Sequence, residues 1–435
     1  MKIELLKQNH QKVVNSPNFE AIFSNADTIF KHSIPHLGRT EEIGGKPCSC
    51  THSHELPTAK DIFNSKHPEI NIPYFTNYTR NILAQFYPKT CTCGCTDFKT
   101  ISTRETELIC KQCKRHISLT SYTPAHHLKT PLWVLGYVIK EAIDLHPQPL
   151  TSAHIKRKLG VGSSTATLLK RRIMLFMSDM IPDIKSLMVE GINKDFPEGY
   201  LLPPKDVDVT DEIKGKNVVY SDTLVMFSAS QRANGFRSRY KHNGQTSSIY
   251  LTDSVAIEKG KYQIGTLVHT LAIKKGPVIF TSVPNQTQKT IEPLLSFLPQ
   301  SSVHFSDEGF PFFHRIFDNY RAINHSARAK NLKRNVWARN RWSKNGVHSQ
   351  VAEGQNRILK ASLRNHSYIS PALSQLYLDN FCGCKGIAIY SLSKLAEVRN
   401  KGRIGECGGE MPVRIPLRHR HRVQLPRRKD RTVLS

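Results

Sequence analysis

The sequence is poor in acidic residues and contains no long apolar run. Its 435 residues include 35 Asp and Glu against 62 Lys and Arg, which gives a formal net charge of +27. No segment approaches the roughly 20 consecutive apolar residues that cross a bilayer. The N-terminal residues mix Lys, Glu, Gln and Asn and lack the apolar centre of a signal peptide. We therefore expect a cytoplasmic protein without a membrane partner.

The excess of positive charge predicts an acidic partner. Uncompensated like charges repel one another within a compact fold, and a polyanion relieves that repulsion. Nucleic acid fits best, because cations that neutralise phosphates release condensed counterions and so favour binding. A length of 435 residues also indicates more than one domain.

The ten cysteines are expected to be reduced, because disulfides are rare in the cytoplasm. Closely spaced cysteines then indicate a metal site. Cys91, Cys93 and Cys95 precede the pair Cys110 and Cys113, with a strand-like stretch between them. Two such knuckles predict a zinc ribbon, in which four thiolates hold a structural Zn²⁺. Cys110 and Cys113 have the usual spacing; in the first knuckle we favour Cys91 and Cys95, with Cys93 as the alternative.

Two other groups of potential ligands stay without an assigned role. One fits either a metal site or a solvated His-rich loop, and it consists of Cys48, Cys50, His52 and His54. Cys382 and Cys384 are interpreted as thiols at a turn beyond a helix.

The pattern of residues 131–177 predicts helices, the first of which ends at Pro147 and Pro149. A helix over residues 151–159, a turn at residues 160–162 and a helix from Ser163 to about residue 176 are typical of a helix-turn-helix. Short polar side chains and cations on the outer face of the second helix suit contact with DNA. An ordinary helical hairpin with a solvated basic face is the alternative. The residues predicted to contact DNA are Ser164, Thr167, Lys170 and Arg171.

From residue 217 the pattern changes to strands. Apolar and β-branched stretches predict strands over residues 218–227, 248–252, 263–273, 278–283 and 302–307. Helices are predicted over residues 288–298, 310–319 and 351–363. This succession predicts an α/β domain with helices packed on a mixed sheet.

Three acidic residues in this region suit metal binding. Asp222 interrupts a buried strand, Asp307 ends a later strand, and Glu353 lies on the helix that follows. Carboxylates that converge from separate elements can hold two Mg²⁺ or Mn²⁺ ions about 3.5–4 Å apart for phosphoryl transfer on nucleic acid. Lys360 lies two helical turns after Glu353 on the same face, and we predict that it contacts the phosphate of the cleaved strand.

Two alternatives for these ligands stay open. Asp211 and Glu212 form an acidic pair that could supply the first carboxylate, but Asp222 is preferred because a metal-binding Asp should interrupt a buried strand. Glu308 could replace its neighbour Asp307, although its side chain should point differently.

No acidic residue occurs between Asp318 and Glu353. The cations of this segment alternate with tryptophans, a composition that suits contact with the DNA backbone and stacking on bases. A solvated surface loop is the alternative. The residues predicted to contact DNA here are Lys333, Arg334, Trp337, Arg339, Arg341 and Trp342.

In the order of these parts, the chain resembles the DDE transposases of bacterial insertion sequences, in the group with an N-terminal zinc ribbon and a ribonuclease-H-like catalytic domain. The resemblance covers residues 87–378 and rests most on Asn-Gly-Val-His-Ser-Gln-Val-Ala-Glu-Gly from Asn345, with Lys360 seven residues after Glu353. It implies an enzyme that binds terminal inverted repeats and cuts and joins double-stranded DNA by direct transesterification. Asp222, Asp307, Glu353 and Lys360 would be its catalytic residues. It also implies a homo-oligomer on DNA in a prokaryotic, nucleoid-associated setting.

The expected domain organisation follows the same order. Residues 1–85 form a weakly patterned region, 86–125 the zinc ribbon, 126–180 the helix-turn-helix region, 181–212 a linker, 213–395 the ribonuclease-H-like domain and 396–435 a basic, disordered tail. The alternative function is a non-catalytic DNA-binding regulator or an inactive transposase remnant.

Overall fold

A computed structural model of the chain describes residues 59–101, 104, 106–227, 265–283, 286–325, 342–364, 366, 369 and 373–404. The chain divides into two compact units, Met1–Ile70 and Asn71–Ser435. Several predicted features lie outside the described residues: the strand over residues 248–252, the Cys48–His54 group, residues 405–435, and Lys333, Arg334, Trp337, Arg339 and Arg341. Within the described ranges, every helix is too short or too polar to span a bilayer.

The order of elements is as follows. The first unit contains helix α1 (Ala59–Asn64), and the second begins with α2 (Ile72–Phe86). Strands β1 (Phe98–Thr100), β2 (Glu107–Cys110) and β3 (His116–Ser118) form a small antiparallel sheet. Helices α3 (Leu132–Asp144), α4 (Ser152–Leu159), α5 (Ser163–Asp179) and α6 (Ile181–Asp195) follow. The remaining elements are β4 (Val219–Phe227), β5 (Gly265–Ile273), β6 (Val278–Val283), α7 (Gln288–Leu295), β7 (Val303–Asp307), a 3₁₀ turn (Pro311–Arg315), β8 (Asn319–Ile323), α8 (Gln350–Leu363) and α9 (Ser374–Ile404).

Among the described residues, β4 to β8 form one mixed sheet in the order β6-β5-β4-β7-β8. β4, β5 and β6 pair antiparallel, whereas β7 and β8 run parallel to β4. The side chains of β6 and β7 are buried almost continuously, as expected of strands covered on both faces. The prediction of a mixed α/β architecture is therefore confirmed.

Helices α8 and α9 cover one face of the sheet. Val268 and Phe280 of the sheet form a buried core with Leu359 of α8 and with Leu378 and Phe381 of α9. The Phe280 and Phe381 rings lie edge to face, with centroids 5.6 Å apart. Burial of this apolar surface fixes α8, and with it Glu353, against β4 and β5.

Helix α9 also packs on α5 and α6. A Cβ atom at Gly383 would lie 2.7 Å from Met177 Cβ, so the absence of a side chain allows the two backbones to approach closely. Ser178 Oγ donates a 2.6 Å hydrogen bond to Asp379. The helical region and the sheet therefore share α9 as a common packing partner.

Helices α4 and α5 lie where the sequence places them. Thr151 Oγ1 accepts a hydrogen bond from the His154 N–H at 3.1 Å and so caps α4. Gly160 ends α4 in the left-handed conformation, with φ +58°. The N-cap of α5 is Gly162 rather than the expected Ser163, which is the first residue of the helix.

Residues 310–319, predicted as a helix, instead form the 3₁₀ turn and the start of β8. Phe313 and Phe317 are four residues apart, a spacing that also occurs on one face of a helix. In the structure both rings pack against His304, with centroid distances of 4.8 Å and 4.6 Å. β8 is short, and its pairing with β7 is a tertiary contact that local periodicity does not reveal.

Two predicted boundaries also differ from the structure. The first half of the predicted linker is helix α6. The predicted tail begins inside α9, which continues to Ile404 with a break at Ser391. Arg399 Nε donates a 2.9 Å hydrogen bond to Asp183, and both side chains are buried. A buried carboxylate requires a charged partner, and Arg399 supplies it for Asp183. The first residues of the predicted tail therefore belong to the packed structure.

Candidate metal centres and nucleic-acid interface

Four cysteine sulfurs meet beside the small antiparallel sheet. The Sγ atoms of Cys91, Cys93, Cys110 and Cys113 all lie within 4.8 Å of one another. Cys91 Sγ is 3.4 Å from Cys113 Sγ, and Cys93 Sγ is 3.6 Å from Cys110 Sγ. Sulfurs bound tetrahedrally at about 2.3 Å from Zn²⁺ are separated by about 3.8 Å. The donor set and its spacing therefore fit a structural zinc ion.

The first knuckle presents Cys93 rather than the preferred Cys95. Gly94, with φ +81°, donates its N–H to the Cys91 carbonyl at 2.8 Å, and this tight turn brings Cys91 and Cys93 together. Cys95 Sγ instead accepts the Asp97 N–H at 3.3 Å. The alternative that the sequence left open, Cys93, thus completes the group.

Backbone groups of the second knuckle favour the thiolate. Hydrogen bonds from the N–H groups of Cys113 and Gln112 lower the pKa of Cys110 to about 6. The thiolate is the form that binds metal. These backbone hydrogen bonds therefore favour the ionised form of Cys110, which is the form that binds a cation.

The three carboxylates selected from the sequence lie on one sheet and on a helix that packs against it. Asp222 lies on β4, opposite Thr270 of β5, and Asp307 is the last residue of the neighbouring strand β7. Glu353 lies in the first turn of α8, which packs on β4 and β5. Burial, together with the negative charges of Asp307 and Glu353, raises the pKa of Asp222 to about 7. Asp222 therefore interacts electrostatically with both other carboxylates.

The carboxylate oxygens of these three residues lie farther apart than the four cysteine sulfurs. Among the described residues, the cysteines are the group whose ligand atoms all lie within 4.8 Å of one another. Burial also raises the pKa of Asp307, while the Gly309 N–H and the charge of His325 oppose that shift. Hard oxygen donors with mutual repulsion fit a divalent cation, because its charge stabilises all three ionised forms. The chemistry of the donor set therefore suits Mg²⁺ or Mn²⁺.

Asn356 is a site residue that sequence reasoning did not select. Its amide nitrogen donates a 2.7 Å hydrogen bond to Asp222 Oδ2, and its oxygen accepts one of 2.7 Å from Thr270 Oγ1. Asn356 lies three residues after Glu353 and thus on the same helix face, which was the available signal. The Thr223 N–H fixes the other oxygen, Asp222 Oδ1, at 2.7 Å.

His325 and Ser349 hold Glu353. Ser349 Oγ lies 2.7 Å from both Glu353 Oε1 and His325 Nε2, and His325 Nε2 lies 3.4 Å from Glu353 Oε1. His325 follows β8, the strand that the sequence did not reveal. Its role therefore had no sequence signal of its own.

The acidic alternatives occupy other positions. Glu212 accepts hydrogen bonds from Tyr200 Oη at 2.6 Å and from Lys216 Nζ at 2.7 Å, and it belongs to that cluster. Glu308 is exposed next to Asp307. Lys360 is exposed near the C-terminal end of α8, on the face that carries Glu353 and Asn356. The geometry thus favours Asp222 and Asp307 over their alternatives.

The predicted DNA-contacting face of α5 is only partly available. Ser164 and Arg171 are exposed, and Thr167 is partly exposed with its hydroxyl donating to the Ser163 carbonyl at 2.9 Å. Lys170 instead packs inward, with Nζ 4.7 Å from the centre of the Tyr377 ring, and burial lowers its pKa to about 8. Lys170 is thus a contact between α5 and α9 and does not belong to the outer face.

Of the six residues of the basic segment that were predicted to contact DNA, the structure describes Trp342. Its side chain is 46% exposed, and its ring centroid lies 5.1 Å from that of His325, which contacts Glu353. An exposed indole beside the carboxylate site is suitably placed for stacking on a base.

Comparison with known proteins adds no relative to this picture. No family model, no curated protein and no solved structure matches the chain.

Proposed function

We propose that this protein is a DDE-type transposase that binds the terminal inverted repeats of an insertion sequence and catalyses metal-dependent cleavage and transfer of DNA strands. The observation that carries the proposal is that Asp222 and Asp307 lie on neighbouring strands of one sheet, while α8, which carries Glu353, packs on the same sheet. These residues are far apart in sequence, and two-metal phosphoryl transfer requires carboxylates that converge in this way.

The arrangement of the sheet supports a ribonuclease-H-like catalytic domain. Asp222 and Asp307 lie on neighbouring parallel strands, and the helix that carries Glu353 packs on the same sheet. A mixed sheet with helices packed against it is the architecture that the family resemblance implies.

In the proposed site, Asp222, Asp307 and Glu353 hold two Mg²⁺ or Mn²⁺ ions. When bound, such ions activate water or a 3′-hydroxyl and stabilise the leaving oxygen. Asn356 orients Asp222, and Ser349 with His325 orients Glu353. Lys360 contacts the phosphate of the cleaved strand.

DNA binding is assigned to the helical region and to the basic surface. The formal charge of +27 supports a polyanionic partner. In this proposal α4 and α5 act as a helix-turn-helix, with Ser164 and Arg171 exposed for contact. The cysteine group holds structural zinc beside them. The protein acts in the prokaryotic cytoplasm on the nucleoid, as a dimer or larger assembly, because two DNA ends must be joined.

The test is cleavage of a duplex taken from the DNA that flanks the gene and contains its inverted repeat. With Mg²⁺, the protein should nick this duplex at the repeat, and Asp307→Asn should reduce the rate by a factor of about 10²–10³, as removal of one key electrostatic group does elsewhere. Asp318→Asn, the same change at an exposed aspartate outside the carboxylate site, should retain activity. Cleavage that survives Asp307→Asn would refute the assignment. Binding without cleavage by the unaltered protein would favour the DNA-binding regulator.

A further inference from the structure

A cavity of about 450 Å³ has Glu308, the residue after Asp307, in its lining and is not explained by the carboxylate site. Its walls come from β8, from the 3₁₀ turn, from Lys205 and from residues 344–347. The volume falls within the range of about 300–1,000 Å³ in which proteins bind small molecules or parts of larger ones. The cavity is therefore large enough to hold one nucleotide unit.

One wall is a tight turn from the sequence motif that precedes Glu353. Lys344 and Val347 exchange backbone hydrogen bonds of 3.0 and 2.9 Å, while Asn345 and Gly346 have φ of +50° and +79°. These values are typical of a type I′ turn, for which Asn-Gly is the preferred sequence. A Cβ atom at Gly346 would lie 2.8 Å from the Thr210 nitrogen, so glycine is required here.

The same turn is tied to the chain that precedes the sheet. The Asn345 amide donates to the Asp206 carbonyl at 2.9 Å and to the Lys205 carbonyl at 3.3 Å. The wall is thus anchored on both sides, and α8 begins directly after it at Gln350. A ligand in the cavity would lie against the segment that leads to Glu353.

The cavity carries an excess of positive charge. Lys205 and Lys344 are exposed in its walls, and Arg321 lies in its floor with only 6% of its surface exposed. The Arg321 guanidinium donates to the carbonyls of Pro203, Pro204 and Val207, which are neutral acceptors. Glu308 is the carboxylate among the lining residues. Three cations against one carboxylate favour an anionic ligand.

Tyr320 links this cavity to the carboxylate site, because it lines the cavity and contacts the backbone of Asp307. The Tyr320 hydroxyl lies 2.6 Å from Ser306 Oγ and donates to the Asp307 carbonyl at 3.2 Å. His314 is exposed in the cavity lining, and its ring lies edge to face against that of the buried Tyr320, with centroids 4.5 Å apart. Burial, and the nearby charge of Lys205, lower the pKa of His314, which favours the neutral ring. Flat rings beside cations are the combination that binds a base together with its phosphate.

We propose that this cavity binds one unpaired nucleotide of the DNA strand next to the cleaved phosphate. The base packs on the exposed His314 ring, and the phosphate lies between Lys205 and Lys344. This inference rests on the proposed function, because it takes the carboxylate site to act on DNA. Extruding an end nucleotide costs a few kcal/mol in a duplex, and a single-stranded overhang avoids most of that cost.

The test measures binding without divalent metal, so that no cleavage occurs. In EDTA, fluorescence anisotropy compares the full-length protein on a blunt duplex and on the same duplex with a three-nucleotide thymidine overhang. The unaltered protein should bind the overhang duplex about tenfold more tightly. Lys205→Glu with Lys344→Glu should abolish this preference and lower the dependence of log affinity on log salt by about 0.7 for each phosphate that the protein no longer neutralises.

A second double variant controls for total charge. Lys194→Glu with Lys289→Glu alters exposed cations outside the cavity lining and changes the net charge equally. It should keep the overhang preference, and both double variants should unfold at the temperature of the unaltered protein. Ala322→Phe, which fills the cavity without changing charge, should also remove the preference.

Three results would overturn the inference. The first is an overhang preference that survives both the Lys205/Lys344 change and Ala322→Phe. The second is an equal loss in both double variants. The third is inorganic phosphate competing as well as thymidine monophosphate, which would show a simple anion site. Overhang binding with no Mg²⁺-dependent cleavage would instead refute the proposed function and leave the nucleotide site intact.

Discussion

Asn356 bridges Asp222 of β4 and Thr270 of β5, with hydrogen bonds of 2.7 Å to each side chain. Asp222 and Thr270 are themselves paired across the two strands. Helix α8 therefore carries Glu353 to the site and also fixes the orientation of the first carboxylate. Metal binding and the packing of α8 should accordingly be coupled.

Asn356→Ala should weaken both stability and catalysis. The change leaves the buried Thr270 hydroxyl without its acceptor, at a cost of about 1–3 kcal/mol in the free energy of unfolding. It also removes a donor that stabilises ionised Asp222, so Mg²⁺ affinity should fall. Urea denaturation and Mg²⁺ titration of the cleavage rate measure the two effects. Arg357→Ala, an exposed neighbour on α8, should leave stability unchanged, and equal effects of the two variants would contradict the role of Asn356.

The pH dependence of stability should reveal Asp222. Its pKa is 3.8 ordinarily and about 7 in the folded protein, so between these values the folded state binds more protons than the unfolded state. Its contribution to stability is therefore complete below about pH 3.8 and is lost as the pH rises to about 7. The difference between the unaltered protein and Asp222→Asn, measured by thermal unfolding in EDTA, isolates this contribution from other groups. A difference that does not vary with pH would argue against the raised pKa.

Zinc content should distinguish the two candidates for the fourth ligand. Cys93→Ser should lose bound zinc, because serine oxygen replaces one of the four sulfurs that meet. Cys95→Ser should retain zinc, since its sulfur lies outside that group and contacts Asp97. Elemental analysis of the purified variants measures this directly. Loss of zinc from the Cys95 variant alone would restore the assignment made from the sequence.

Lys170 and Arg171 should separate packing from DNA binding. Lys170→Ala removes a cation–π contact with Tyr377 and should lower the unfolding free energy by about 1–2 kcal/mol. Arg171→Ala removes an exposed cation and should lower the slope of log affinity against log salt by about 0.9 at unchanged stability. Calorimetry and DNA-binding titrations at several salt concentrations measure both. The reverse pattern would place Lys170 on the DNA surface after all.

Truncation should show that the packed structure extends past residue 395. A chain that ends at Leu395 lacks Arg399 and so loses its ion pair with the buried Asp183 carboxylate, at a cost of about 3–5 kcal/mol. A chain that ends at Ile404 keeps this pair and should be as stable as the full protein. Urea denaturation of the two truncated chains provides the comparison. Equal stability of both would show that Arg399 contributes little.

Local patterns revealed those parts of the fold that depend on local chemistry. Residues 278–283, Val-Ile-Phe-Thr-Ser-Val, are rich in β-branched and aromatic residues and were predicted as the strand that the structure has. Asp222 stood out because a carboxylate interrupts an apolar strand, and Glu353 because it belongs to the motif that begins at Asn345. The turn before α5 was evident from its two glycines. In each case neighbouring residues carry the information.

Other features depend on contacts between distant residues and could not be read locally. β8 is a strand because β7 lies beside it, and Lys170 turns inward because Tyr377 of α9 lies against α5. The choice of Cys93 over Cys95 depends on the conformation of Gly94, which cysteine spacing alone does not specify. Arg399 lay in a stretch without periodicity, although its guanidinium is buried against Asp183.

Helix α9 has a consequence for how such a protein can change over evolution. It packs on β6 of the sheet and also on helices α5 and α6. The helical region and the sheet therefore cannot be exchanged independently, because each would lose its packing against α9 if it were joined to an unrelated domain. Under the proposed function, new DNA specificity should arise through substitutions at exposed positions such as Ser164 and Arg171, while the buried residues along α9 constrain both parts to vary together.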